Sequence, residues 1–435
     1  MAADTIFALA SGAGRAAVAV IRISGPAALE TLAAFTGLRP RPRTAHYARY
    51  RDPETHETID RGLALSFPAP ASATGEDCAE FHLHGGRAVL AAILASLGRR
   101  PGLRAAQPGE FARRAFLNGK MDLSQVEALA DLIDAQTAFQ RRQALRIAGG
   151  ELRRPVEAWR AALIEAMALL AAELDFSDEG DVGVFSASAL DAVLAPVIAQ
   201  IEMALRIAPA SERLREGFVV LILGPPNAGK SSLLNYLARR EAAIVSEIPG
   251  TTRDLIEVDL DLAGAPITLI DTAGLRESGD AIERMGVARA RARAGEADLI
   301  LWLSEGGATA PPSDLGAQVE VLHVATKCDA ALLAGGALAT SVTTGAGLDA
   351  LCKEIARRAL RSLGDGGSAL VIRERHRLAV TEALASLRAA REAGKPLELV
   401  AEDLRLAARA LGRITGAIDV EQVLDVIFSR LCIGK

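Results

Sequence analysis

Aromatic residues are scarce in this 435-residue chain, where Phe, Trp and Tyr together make up only 4%. Its hydrophobic half is mostly Ala, Leu and Val, a mixture that favours helices. Cys78, Cys328, Cys352 and Cys432 are far apart and form no C-x-x-C spacing, so neither a zinc cluster nor a dense disulfide framework is indicated and a reducing cytosol fits. No uninterrupted apolar stretch reaches the roughly 20 residues of a membrane span. The stretch MAADTIFALASGAGRAAVAVIRISG also lacks a basic n-region followed by a sustained apolar h-region, so a soluble cytoplasmic protein is expected. There is no excess of positive charge either: 49 Lys and Arg against 54 acids give a net charge of -5 and no global attraction to nucleic acid or anionic membrane. Any RNA contact must be a local basic patch. The tandem arginines Arg99-Arg100, Arg113-Arg114, Arg141-Arg142 and Arg153-Arg154 read as solvated helix faces, and no RNA site is assigned to them.

The length implies two or three domains. Residues 1–119 mix short β-like runs such as Ala17-Val18-Ala19-Val20-Ile21 with Gly and Pro punctuation, an α+β pattern. From Met121 the apolar residues step by three and four, as Leu163, Met167, Leu170 and Leu174 do, which predicts long amphipathic helices. The strand-like run FVVLIL at 218–223 opens a unit in which ITLI, LILWL and VEVLHVAT alternate with helical segments, the signature of a parallel sheet. Helical periodicity returns after about residue 365, with Leu397, Val400, Leu404 and Leu411. The expected organisation is an α+β domain at 1–119, a discontinuous helical domain at 120–213 and 366–435, and an inserted α/β domain at 214–365.

FVVLIL leads directly into Gly224-Pro225-Pro226-Asn227-Ala228-Gly229-Lys230-Ser231 and then a helix start, the strand, G-x-x-x-x-G-K-S, helix context of a phosphate loop. The glycines let backbone N–H groups turn toward phosphates, Lys230 can reach the β/γ oxygens, and the Ser231 hydroxyl is placed for Mg²⁺. Gly250-Thr251-Thr252-Arg253-Asp254 lies on a loop before a strand, where a Thr hydroxyl can cap Mg²⁺ and sense the γ-phosphate. Asp271-Thr272-Ala273-Gly274 closes the strand ITLI, with Asp271 set to hold Mg²⁺ through water and Gly274 to offer an N–H to the γ-phosphate. Thr326-Lys327-Cys328-Asp329 follows VEVLHVA in the manner of the N-K-x-D loop, whose Asp accepts from the guanine edge while the Lys packs over the base. Thr326 replaces the Asn, so weaker base binding with retained guanine choice is expected. The supporting Ser-Ala-Lys loop is present only as Ser341-Val342-Thr343. Nucleotide contacts are expected at Asn227, Ala228, Gly229, Lys230, Ser231 and Ser232, at Ser246, Glu247, Ile248, Pro249, Gly250 and Thr251, at Asp271 to Gly274, at Thr326 to Asp329 and at Ser341 to Thr343. Leu275 stands where Ras-type enzymes carry the water-positioning glutamine, which leaves Glu283 as the nearest carboxylate on a plausible switch helix. His82-x-His84, alternate residues of one strand face, reads as packing or polar surface rather than a metal site.

With these motifs placed, the whole chain resembles the MnmE (TrmE) family of tRNA-modifying GTPases. DTIFALASGAGRAAVAVIRISG, GEDCAEFHLHGG, PGEFARRAFLNGKMDLSQVEALADLI, GPPNAGKSSLLN, IPGTTRD, DTAGLRES and the terminal CIGK carry the resemblance, the first three and the last being specific to that family. The resemblance implies a folate-binding N-terminal domain that dimerises, with reduced folate (5-formyl- or methylene-tetrahydrofolate) at Arg22, Glu80, Lys120 and Lys435. It implies K⁺ near Asn227, Ser246, Ile248 and Thr251, Mg²⁺ at Ser231 and Thr252, and Lys230 and Glu283 in catalysis. It gives Cys432 a nucleophilic or one-carbon role beside the alternative of a packed thiol. It also implies that a homodimer joins an FAD-dependent partner of the MnmG or GidA type and installs a carboxymethylaminomethyl group on C5 of the wobble uridine of tRNA. A regulatory GTPase that binds a protein or ribosomal partner without modification chemistry is the alternative, and it needs neither the folate-type blocks nor CIGK.

Overall fold

The computed structural model describes residues 4–12, 14–176, 187–240, 244–245, 256–271, 297–312, 319–329, 337–363, 370–418, 424, 427–428, 431 and 434. The chain divides into two compact units: Met1–Ala130, Ala148–Arg160 and Arg409–Lys435 form one, Asp131–Ile147 and Ala161–Ala408 the other.

In the first unit, strands β1 (Thr5–Leu9), β2 (Ala16–Ser24), β3 (His46–Arg51), β4 (Thr58–Phe67), β5 (Cys78–Gly85) and β6 (Leu103–Ala105) form a sheet of order β3-β4-β5-β2-β1-β6. All its pairs are antiparallel except β1 with β6. Alternation along the strands decides the faces. Ile21, Ile23, Ala48, Tyr50, Ala64 and Phe81 point to one side, where α1 (Ala28–Thr36) and α2 (Arg87–Arg99) cover them with Leu32, Phe35, Ile93 and Leu97. Three of the few aromatics concentrate there, Phe81 lying 5.5 Å from Phe35 and 4.9 Å from Tyr50 between ring centroids. Each such fully buried large side chain stabilises the fold by roughly 1.5–3 kcal/mol. On the opposite face α3 (Glu110–Leu117) seats Phe111 over Ile6 and Ala8. Leu424, Phe428 and Leu431 pack with Ala112 of α3 and with Leu123 and Val126 of α4 (Leu123–Asp134), which brings the C-terminal segment onto the N-terminal sheet's own unit. Buried Gly434 completes this seat: at φ +98° a Cβ there would lie 2.1 Å from the Leu9 carbonyl oxygen, a distance only glycine tolerates.

The second unit holds a seven-stranded sheet, β13-β12-β11-β7-β10-β9-β8, from β7 (Phe218–Leu223), β8 (Ile244–Val245), β9 (Ile256–Leu262), β10 (Ala265–Asp271), β11 (Leu299–Glu305), β12 (Glu320–Thr326) and β13 (Leu338–Ala339). It is parallel except where β9 pairs with β10 and β8. Central β7 buries Val220 and Ile222 in one core and Leu221 and Leu223 in the other, so it is apolar on both faces as a covered parallel strand must be. The expected mostly parallel α/β unit, α+β N-terminal unit and helical segments are all present. The helices here are α5 (Ala138–Ala148), α6 (Arg153–Phe176), α7 (Ala187–Glu216), α8 (Lys230–Arg240), α9 (Leu348–Leu363), α10 (Glu374–Ala390) and α11 (Leu397–Thr415), of which α5, α6 and α11 run across the division between units. Helix α7 is long and apolar enough to cross a membrane by length and composition. It buries Leu194, Ile198, Ile201 and Ala208 on one side and is held to α10 by the ion pairs Arg377–Glu212 and Arg388–Glu202.

Candidate functional site

The phosphate loop follows from the strand that precedes it. β7 stops at Leu223, and Gly224, at φ +151°, has to be glycine because a Cβ there would meet the Leu303 carbonyl oxygen of β11 at 2.1 Å. Asn227 at φ +61° and Gly229 at φ +87° turn the chain again before α8 begins at Lys230. Alternation of right- and left-handed residues makes a concavity of backbone N–H groups, and the first turn of α8 adds its own unsatisfied donors. Lys230 Nζ donates to the Gly224 and Pro225 carbonyls at 2.8 and 2.9 Å, so its ammonium already sits over the loop it closes. Ser231 and Ser232 are exposed on that first turn, and Ala228 is buried beneath it. Asp271 ends β10, its backbone in register with Ile222 of β7.

The base-side loop is tied to this cradle. Buried Thr326, at the end of β12, donates its hydroxyl hydrogen to the Ala228 carbonyl at 2.8 Å, with the Ser304 carbonyl at 3.2 Å. The hydroxyl therefore links the two loops across 98 residues of sequence, a role that motif comparison alone does not reveal. Lys327 follows at φ +55° and pairs with Glu305 at 2.8 Å. The Ser341 hydroxyl hydrogen-bonds the Asp329 carboxylate and holds it below the usual carboxylate range, so Asp329 is an ionised acceptor at neutral pH. Ser341 is buried and also accepts from the Thr344 N–H at 3.2 Å, while Val342 packs on the core and Thr343 is exposed. Cys328 Sγ donates to the Ala325 carbonyl at 3.1 Å. Ser246, Glu247, Ile248, Pro249, Gly250, Thr251, Thr252, Thr272, Ala273, Gly274, Glu283, Cys432 and Lys435 lie outside the described residues.

In the N-terminal unit, Arg22 of β2 and Glu80 of β5 are direct register partners. Arg22 Nη2 and Nε donate to Glu80 Oε1 at 3.0 and 3.1 Å, and the guanidinium carbon stands 5.9 Å from the Phe111 ring centroid. Glu80 Oε2 meets His82 Nε2 at 3.2 Å. Two residues beyond Arg22, the Ser24 hydroxyl bonds Thr74 and Glu76, both at 2.7 Å, and Cys78 Sγ lies 3.2 Å from Thr74. Glu76 in turn accepts from Arg114 at 3.0 Å. Lys120 reaches the same corner: its stem lies against Gly75, and neighbouring Asn118 donates to the Thr74 carbonyl at 2.8 Å. Ser24, Thr74, Glu76 and Arg114 are polar groups that no spacing rule picks out, because they meet only through strand register. His84 is engaged by Asp60 at 2.9 Å, and among the described residues no group of three or more His, Cys, Asp or Glu side chains could hold a metal ion.

A strand, phosphate loop and helix at the centre of a mostly parallel sheet, tied through Thr326 to the loop at its rim, define a P-loop nucleotide-binding domain. Residues 5–120 match the family model of the GTP-binding protein TrmE N-terminus, and residues 123–432 that of the MnmE helical domain. Proteins of Beijerinckia indica and Methylobacterium sp. (strain 4-46), each named tRNA modification GTPase MnmE, are 55% and 57% identical over 99% of this chain and 96% and 100% of their own lengths. The G domain of the T. maritima FeoB iron transporter aligns with 32% of this chain and 98% of its own, at 24% identity and a TM-score of 0.25. The chain belongs to the MnmE family of tRNA modification GTPases.

Proposed function

We propose that this GTPase is potassium-activated and that, as a cytoplasmic homodimer with an FAD-dependent partner of the MnmG or GidA type, it installs a carboxymethylaminomethyl group on C5 of the wobble uridine of certain tRNAs, drawing one carbon from a reduced folate. The observation that supports the nucleotide half is the Thr326 to Ala228 hydrogen bond, which ties the phosphate loop to the loop that carries Asp329. Asp329 accepts from the N1–H and exocyclic amine of guanine, and the aliphatic stem of Lys327 covers the base. Lys230 exchanges two neutral carbonyl acceptors for anionic β/γ oxygens, a stronger partner for an ammonium. Ser231 and Thr252 would hold Mg²⁺, and Asn227, Ser246, Ile248 and Thr251 would hold K⁺. Positive charge of this kind at the phosphate oxygens, which an arginine finger supplies elsewhere, is worth about 10³–10⁵ in rate. Glu283 holds the attacking water in the place of the glutamine that Leu275 displaces.

The donor set of the N-terminal site suits a folate. Glu80 can accept from the amino and ring N–H groups of a pterin, while Arg22, Lys120 and Lys435 are cations for its glutamate tail. The seat of Gly434 against Leu9 supports this reading, because it puts Gly434 on the sheet that carries Arg22. A purely regulatory GTPase would need neither feature. GTP turnover measured in KCl and in NaCl at matched ionic strength, together with turnover by Glu283→Ala, tests the hydrolysis half. Faster hydrolysis in KCl and a slowed variant that still binds nucleotide are expected; equal rates in the two salts refute potassium activation.

A further inference from the structure

One arginine of each tandem pair that stands out in the sequence is engaged within the molecule. Arg99 pairs with Asp52 and Glu54, Arg114 with Asp4, Glu76 and Glu110, Arg153 approaches Asp122 at 3.9 Å, and Arg142 lies 4.5 Å over the Phe139 ring. Arg49 and Arg51 of β3 and Arg61 of β4 are set apart by lying together on one sheet: all three are exposed, and no ion pair or hydrogen bond among the described residues engages their guanidinium groups. The register sets Arg49 directly opposite Arg61 and Tyr47 opposite Leu63. Opposed residues have Cβ atoms about 4.5–5.5 Å apart, and like charges there are destabilising. The neighbouring acids form no ion pair with them: Asp52 and Glu54 are held by Arg99, Asp60 by the backbone N–H and ring of His84, and Glu57, exposed in the hairpin, engages none of the three.

This arrangement lies on the edge of the sheet, because β3 is its terminal strand. Ala48, Tyr50 and Ala64 face the helix-covered core, so the alternating arginines share the opposite face with Tyr47, 69% exposed, and Leu63, 40% exposed. Arg49 and Arg51 are about 6.8 Å apart along the strand. Three uncommitted guanidiniums call for a polyanion, and a phosphate set between Arg49 and Arg61 turns their mutual repulsion into shared attraction. The exposed tyrosine ring beside them narrows the choice to a polyanion with planar bases to stack, which is single-stranded nucleic acid. A chain of net charge -5 can attract one only through such a local patch.

We propose that the β3–β4 face of the N-terminal sheet is an RNA-docking surface, on which Arg49, Arg51 and Arg61 neutralise phosphates of tRNA and Tyr47 carries a stacked base. The proposal rests on tRNA being the substrate of this chain. Filter binding of an unmodified tRNA transcript to the full chain over a range of KCl concentrations tests it. Replacing the three arginines by alanine is expected to weaken binding at least tenfold and to flatten the slope of log affinity against log salt by about 2 to 2.7, at roughly 0.7–0.9 for each phosphate no longer neutralised. Tyr47→Ala is expected to weaken binding with the slope intact, and Tyr47→Phe to restore it. Arg61→Glu replaces a like-charge pair by an opposite one and is expected to melt higher while binding tRNA more weakly, a combination that a misfolded variant cannot give. GTP turnover without tRNA is expected to stay unchanged in all of them. Unchanged affinity and slope in the triple variant overturn the docking surface while leaving the tRNA reading intact, as does a shift in oligomeric state alone, which would assign the face to a second copy. No binding by the unmodified chain would refute tRNA recognition by this chain itself.

Discussion

Thr326→Val removes one hydroxyl and keeps the side chain's shape, so it isolates the link between the phosphate loop and the base-side loop. Thr326 is 5% exposed, and its hydroxyl spans 2.8 Å to the Ala228 carbonyl and 3.2 Å to that of Ser304. A hydroxyl has one hydrogen, so the shorter contact is the principal bond and the Ser304 carbonyl receives at most a share. Valine leaves the buried Ala228 oxygen without this donor, a loss of about 1–3 kcal/mol. If about 1–2 kcal/mol of that appears in binding, because nucleotide must now order two loops that were previously joined, affinity falls roughly 5- to 30-fold. GDP and GTP should lose equally, since the bond lies between the base and the loop that holds the inner phosphates. Thr326→Ser retains the donor and should bind within about twofold of the parent. Titration of fluorescent GDP and of a non-hydrolysable GTP analogue decides the matter. Thr326→Val binding as tightly as the parent, or Thr326→Ser failing as badly as valine, would refute the link.

The other expectations concern recognition. Asp329→Asn should erase the preference for GTP over ATP in competition binding, because it exchanges a double acceptor for a group with a donor edge. As the Ser341 hydroxyl holds Asp329 below the usual carboxylate range, GTP affinity should be flat from neutral pH down through that range and fall only when acid protonates the carboxylate. Arg22→Ala should weaken reduced-folate binding by roughly 10- to 150-fold, the loss of a charge-assisted bond of about 1.5–3 kcal/mol, as read by calorimetry. Gly434→Ala, whose Cβ would sit 2.1 Å from the Leu9 oxygen, should impair folate binding with little change in basal GTP turnover. Parent-like folate affinity in both variants would remove the N-terminal assignment.

Sequence disclosed those parts of the molecule whose chemistry is local. The phosphate loop is legible because strand, glycine spacing, Lys230 and helix start are contiguous, and β7 is legible because a strand covered on both sides must be apolar throughout. The loops that complete the nucleotide site are less so. Read as a motif, Thr326 is only a missing amide, and the useful property of its hydroxyl depends on Ala228 lying 2.8 Å away in space. Ser341-Val342-Thr343 looks like a degraded loop until the Ser341 hydroxyl is found on Asp329. The arginines show the same limit in reverse. Tandem pairs draw the eye, yet Arg99 and Arg114 are taken up by acids such as Asp52 and Asp4 that are distant in sequence, whereas Arg49 and Arg61 are separated by a hairpin and become neighbours only through register.

The seat of the C-terminal segment on the N-terminal unit also has a consequence for biosynthesis. Ala112, Leu123 and Val126 leave the ribosome early, but Leu424, Phe428 and Leu431, which cover them, follow only after roughly 300 further residues, Ala161–Ala408 among them. At about 5–20 residues per second that interval is some 15–60 s. The nascent chain therefore carries an uncovered apolar seat for tens of seconds while the GTPase unit is made.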